Sequence, residues 1–129
     1  MVPENKVGAM GWAGRVMTVL AVLPFVMSAV MKFMGGPQVI QGFGHFGWPT
    51  EMLITLGILE AGSVVLYLIP QTAVLGAIVL TGYLGGALST HLRIGEPVYI
   101  HVILGFFIWG GLYLRDSRLR KLLPIRKGE

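Results

Sequence analysis

Cysteine is absent from the chain of 129 residues. Structural disulfides, iron–sulfur ligation by this chain and thiol–disulfide exchange are therefore excluded. Charge is scarce as well. Asp, Glu, Lys and Arg make up 12% of the residues, about half the share usual in soluble globular domains. Most of these charges lie outside the apolar runs. Catalytic signatures are also missing: there is no HExxH pair and no hydrolase triad. The stretch GGPQVIQGFG lacks both the strand–helix setting and the lysine of a phosphate loop. A nucleophilic enzyme finds no support.

What is present is apolar. Hydrophobic residues reach 54% and the mean hydropathy is +0.74. One small soluble core cannot cover so much apolar surface, so lipid covers the remainder. Four runs stand out: 12–34, 52–69, 73–92 and 98–114. Each is near the length a helix needs to cross about 30 Å of hydrocarbon, and a helix satisfies its own backbone groups there. The expected fold is all-α, an integral membrane four-helix up-down bundle. It forms a single four-span domain over 1–129 with a basic tail at 115–129.

The first run reads as a retained span. Its apolar part is long for a signal peptide, and Arg15 and Lys32 near its ends suit two interfaces. Pro24 inside it predicts a kink and a freed carbonyl. Residues 35–50 form a Gly-rich linker with Phe43, Phe46 and Trp48, fit to lie at the interface or dip into it. Pro70-Gln71 and Gly95-Glu96-Pro97 read as tight hairpins.

Net charge is +4 and the pI about 9.8. Six of the ten basic residues (Arg115, Arg118, Arg120, Lys121, Arg126 and Lys127) follow the last span. Such a juxtamembrane tail fits anionic lipid and a topology signal, and no nucleic-acid partner is expected. Lys6, Arg15 and the tail place eight basic groups on one side, against Lys32 and Arg93 on the other. The positive-inside rule then puts both termini in the cytoplasm. The expected location is a multi-pass place in the bacterial inner membrane.

Glu60 stands near the middle of the second run, where a carboxylate must be protonated, paired or turned to a polar cavity. Nine residues below Glu51 places it roughly 13 Å down. That depth predicts no direct contact with His91 or Lys32, and favours Thr81 and Tyr83 as partners. In a dry site the acid is expected to be protonated. Its plain alternative role is one interhelical hydrogen bond.

Up-down placement gathers Lys32, His91, Arg93, His101, Glu51, Glu96 and His45 at the non-cytoplasmic mouth. Ordinary explanations exist for several. Lys32 and Arg93 can snorkel, Glu51 can favour a helix start, Glu96 can pair with Arg93, and His45 can be solvated. His91 and His101 should approach each other about one turn inside the boundary, beside Lys32. A metal would need a third ligand, Glu51 or Glu96, and one short hairpin does not easily offer two histidines to opposite faces of a haem. No metal is assigned, and hydrogen-bonding or proton-relay roles suit the histidines better. The candidate ligand-binding or relay set is Glu60, His91, His101, Lys32 and Arg93. Small residues four apart (Gly57 and Ala61, Gly82 and Gly86) read as close-packing faces, as do Thr81, Gly85 and Ser89.

The stretch LGILEAGSVVLYLIPQTAVLGAIVLTGYLGGALSTHLRIGEP, residues 56–97, resembles the DoxX-like family of small four-span membrane proteins. The likeness rests on Gly57 and Glu60 in LGILE, the IPQT turn, the glycine-rich third span and the THLRIGEP exit. Lys32 before Gly-Gly-Pro and the LYLRDSRLRKLLP tail extend it. The resemblance implies links to quinone-coupled oxidation of sulfur compounds in some relatives. In others it implies membrane complexes that respond to oxidative stress. The leading expectation is a subunit or binding protein for a lipophilic molecule, a quinone being the candidate, in a membrane redox system. Electron transfer would need a partner subunit or bound cofactor, because the chain has no redox centre. Membrane lipid, a redox protein or a second copy of the chain are the partners considered. A structural or assembly factor, or a small-solute transporter component, is the alternative. The basic asymmetry predicts that reporters fused within residues 35–50 and after Glu129 lie on opposite sides of the membrane; finding both on one side contradicts the topology.

Overall fold

A computed structural model describes residues 8–126. Lys6 and Lys127, counted above for topology, lie outside the described residues. Six helices follow one another: α1 (Ala9–Met34), α2 (Pro37–Phe46), α3 (Leu53–Leu68), α4 (Ala73–Arg93), α5 (Tyr99–Arg115) and α6 (Ser117–Arg120). Short 3-10 turns, Thr50–Met52 and Pro70–Thr72, lead into α3 and α4. No strand occurs among the described residues. The architecture is an all-α helical bundle of the membrane kind.

Three segments (Ala9–Met34, Thr50–Leu68 and Pro70–Arg93) are long and apolar enough to cross a membrane. The fourth, α5, is apolar and shorter, with 17 residues, at the lower end of what a span requires. Large apolar side chains such as Leu23, Met27, Ile58, Val65 and Ile78 face outward, as a lipid-bathed surface allows. In the interior, Ala21, Phe25, Val64, Tyr67, Leu80 and Ile108 form the core. The Tyr67 hydroxyl donates to the Ile108 carbonyl, tying α3 to α5.

Neighbouring helices pair in a ring, α1 with α3, α3 with α4, α4 with α5, and α5 back to α1. This is the contact order of an up-down bundle with short connections. α1 runs unbroken through Pro24. The proline therefore removes one ladder bond, at the Leu20 carbonyl, without ending the helix.

Residues 35–50, expected as an irregular linker, contain the ten-residue helix α2. Pro37 at its first turn supplies the fixed φ that starts a helix. Gly35 (φ 62°) and Gly47 (φ 79°) take the left-handed conformation that ends α1 and α2. Pro and Gly thus punctuate a helix here rather than abolish one.

Close helix approach depends on particular glycines. A Cβ at Gly14 would lie 2.8 Å from the Gly111 carbonyl oxygen, and one at Gly111 would lie 2.7 Å from Thr18 Oγ1. These clamp α1 to α5 near the basic tail. A Cβ at Gly76 would collide with the Tyr67 backbone, so this glycine closes α3 on α4. A Cβ at Gly57 would lie 3.1 Å from the Phe33 ring and 3.4 Å from Lys32 Cβ, so this glycine seats α1 on α3 towards the other end. Gly57 therefore packs as expected, and Ala61 beside it is half-buried. Gly82 and Gly86 do not pack: a Cβ at either would meet nothing within 4 Å. Both line a cavity instead.

At the tail, Asp116 caps α6 through the Arg118 backbone N–H at 3.0 Å. The Arg118 side chain, bonded to the same carboxyl, holds Asp116 below the usual carboxylate range. The stabilisation this brings is present above the ordinary aspartate range and is lost as pH falls through the lowered folded value. The glycine geometry predicts that Gly76→Ala destabilises the bundle by about 1–3 kcal/mol through overpacking, whereas Gly82→Ala does not. Thermal unfolding in detergent checks this, and equal effects would contradict it.

Candidate functional site

A cavity of about 590 Å³ lies among α1, α3, α4 and α5, with α2 folded across it. Phe25, Phe43, Leu56, Leu84 and Leu104 make much of its wall apolar. Against this wall stand a few polar groups in two stations.

Lys32 and Glu60 form the first station. Lys32 Nζ lies 3.0 Å from Glu60 Oε1 and 2.6 Å from Ser28 Oγ. The lysine side chain is 13% exposed and the glutamate 3%. The expectation that Glu60 sits too deep for Lys32 is overturned. Lys32 turns its four-carbon stem back into the bundle instead of snorkelling outward, and Gly57 lets that stem pass close to α3. Glu60 thus has Lys32 as a direct partner rather than standing alone. Thr81 is not its partner, since its hydroxyl donates to the Ala77 carbonyl and accepts from Trp109 Nε1. Tyr83 does line the cavity, its ring 5.9 Å from Lys32 Nζ.

The second station is the histidine pair. His91 and His101 meet with ring centroids 4.4 Å apart. His91 Nδ1 donates to the Ala87 carbonyl at 2.8 Å, and Phe46 of α2 lies 4.5 Å from the His91 ring. His101 is 7% exposed, and its Nδ1 has no hydrogen-bond partner. A buried polar atom left unpaired costs about 1–3 kcal/mol, a cost that a bound molecule can remove.

Glu60, His91, His101 and Lys32 are therefore brought together around one cavity, and Arg93 is not. The Arg93 guanidinium donates to the Phe46 carbonyl and fixes the end of α2. Gly47, where a Cβ would stand 3.1 Å from Arg93 Nη2, leaves it room. Glu96 pairs with His45 at 3.4 Å rather than with Arg93. Trp48 Nε1 donates to Thr90 Oγ1 at 3.3 Å. Three polar contacts thus hold α2 as a lid. Glu51 lies in the turn that opens α3, exposed and outside the cavity. Sequence reasoning missed Ser28, four residues before Lys32, and the lid tethers. The aromatic and histidine content of residues 43–48 was the available signal. Among the described residues no three His, Asp or Glu side chains cluster as metal ligands would.

The profile of the DoxX-like family matches residues 16–111. The chain belongs to the DoxX-like family. No curated protein and no solved structure matched it. The DoxX-like match spans both polar stations and the lid, and stops before Arg115 and α6.

An ammonium has three donors, and Ser28 and Glu60 occupy two of those on Lys32. One donor remains for a guest, and the unpaired His101 lines the same cavity. In this DoxX-like protein the apolar wall and few polar groups suit a largely apolar molecule with acceptor oxygens. Removing one member of the pair leaves the other charge buried alone, so Lys32→Met should lower stability by about 3–5 kcal/mol. The double variant Lys32→Met/Glu60→Leu should lose less than that. Chemical unfolding of Lys32→Met, Glu60→Leu and the double variant checks the pair, and a double variant as unstable as the sum of the singles would contradict it.

Proposed function

We propose that this DoxX-like protein is a multi-pass membrane protein that binds a lipophilic molecule with an oxygen-bearing head, such as a quinone, within a membrane redox system. The observation that carries the reading is the cavity of about 590 Å³ in which the Lys32–Glu60 pair faces apolar walls. A quinone presents two carbonyl oxygens and a ring. Lys32 and His101 supply donors at two places on the cavity wall, Glu60 keeps the ammonium in place, and His91 stands against His101 for proton exchange. Arg93 serves by holding the lid.

The chain supplies no electron carrier, so a partner subunit or a second bound cofactor delivers or accepts the electrons. The excess of basic residues at the tail end supports an orientation with both termini in the cytoplasm and the lid on the opposite face, here in the bacterial inner membrane.

Purification in mild detergent, followed by mass spectrometry of the co-purified lipids, tests this directly. A quinone near one per chain is expected. Titration with a decyl-chain benzoquinone, followed by quenching of Trp48 at the cavity wall, should show affinity weakened about tenfold in Lys32→Met by loss of one charged hydrogen bond. Absence of any quinone together with an abundant co-purified protein would overturn the reading in favour of an assembly factor.

A further inference from the structure

The cavity has a gap in its wall. Gly82 and Gly86 line it and are exposed. Nothing lies within 4 Å of a Cβ built at either. Gly57 against Phe33, Gly76 against Tyr67 and Gly111 against Thr18 are explained by contact, whereas Gly62 and Gly85 are as open as Gly82 and Gly86 but do not line the cavity. Glycine weakens a helix, and at Gly82 and Gly86 no neighbouring helix compensates. Bare backbone here separates the cavity from whatever bathes the bundle.

Depth decides what that is. Gly86 and Gly82 lie seven and eleven residues before Arg93, the last residue of α4, roughly 10 and 16 Å along the helix. In a hydrocarbon layer of about 30 Å this is the level of acyl chains and not of head groups. The histidines stand nearer the lid, His91 being five residues beyond Gly86 on the same helix with His101 facing it. Lys32 and Glu60 stand at the glycines' own level, Lys32 Nζ lying 5.9 Å from the ring of Tyr83. The unpaired His101 Nδ1 independently calls for a polar partner at the histidines' level. A half-turn of the imidazole about its Cβ–Cγ bond exchanges this nitrogen with the opposite ring edge. Above, the lid is tied down by the His45–Glu96, Arg93–Phe46 and Trp48–Thr90 contacts.

We infer that the bound molecule is a single-chain membrane lipid of the quinone type, with its head between Lys32 and the histidines and its isoprenoid or alkyl chain leaving sideways past Gly82 and Gly86 into the bilayer. This inference rests on the proposed reading of the cavity and adds the ligand's chain and its route. Head towards the lid and chain towards the bilayer centre is the direction a lipid already has in that leaflet. The molecule enters laterally, without opening the lid.

Two dimethoxy-methyl-benzoquinones with the same head, one bearing a decyl chain and one bearing none, are titrated against the full chain in lipid nanodiscs. In Gly82→Leu/Gly86→Leu the decyl form should lose about tenfold in affinity as its chain contacts are blocked, while the chainless form binds as to wild type. His101→Phe should weaken both forms alike. Equal effects of the leucine pair on both quinones, or none on either, would overturn the lateral route while the quinone site stands. Failure of wild type to bind either form would overturn the site itself, and the route with it. A decyl quinone carrying a diazirine on the proximal third of its chain covers the case of a misfolded leucine variant. Adducts at 82–86 support the route, and adducts confined to Val39, Phe43 or Trp48 of the lid overturn it.

Discussion

A lysine ammonium and a glutamate carboxylate, 3.0 Å apart and nearly out of reach of solvent, govern how this bundle is put together. In hydrocarbon neither charge has water to turn to. Each therefore compels the helix that carries the other to stay close. Glu60 holds the lid end of α1 against α3, and Gly57 makes the approach possible by having no side chain in the way. At the other end, Gly14 and Gly111 seat α1 on α5. One helix is thus fastened to two different neighbours along its length. The cavity occupies the lid half of the bundle, between α1, α4 and the start of α5.

The same pair sets the chemistry of that space. A buried ion pair is a weak source of stability compared with apolar packing of similar volume. Its value here lies in presenting a fixed donor at the edge of an apolar chamber. The histidines add a second polar edge on α4 and α5, and the lid closes the chamber through contacts to α4 and to the hairpin after it. All of these residues fall within the stretch that matches the DoxX-like family. Arg115, whose buried nitrogens lack partners, and the small helix that follows belong to the tail.

Much of the fold was legible because lipid imposes simple rules. Uninterrupted apolar length located the four principal helices, and one acid in such a run had to matter. Proximity of His91 and His101 followed from a short hairpin. The Lys32–Glu60 contact was not legible, because reckoning depth along straight rods ignores both helix tilt and the reach of a lysine stem. Helix α2 was hidden for another reason. Its glycines and prolines read as breakers, whereas Pro37, Gly35 and Gly47 stand where a helix starts or the chain turns. Spacing of small residues pointed to Gly57, which seats α1 on α3, and equally to Gly82 and Gly86, which face no other helix of this chain. A four-residue interval marks a smooth face without saying what lies opposite. Gly14, Gly76 and Gly111, which carry the tightest approaches to neighbouring backbone, form no such interval together. Arg93 looked like a site residue by depth, yet its long side chain reaches away to the lid.

The Lys32–Glu60 contact can be measured in the bilayer itself. Solid-state NMR dipolar recoupling between the 15N-labelled lysine Nζ and the 13C-labelled glutamate Cδ, assigned with Lys32→Arg and Glu60→Gln controls, reads their separation. The account predicts strong coupling, in keeping with an N–O distance of 3.0 Å, and a Cδ shift of an ionised carboxylate. No coupling, with the Cδ shift of a neutral acid and a lysine mobile at the interface, would contradict it.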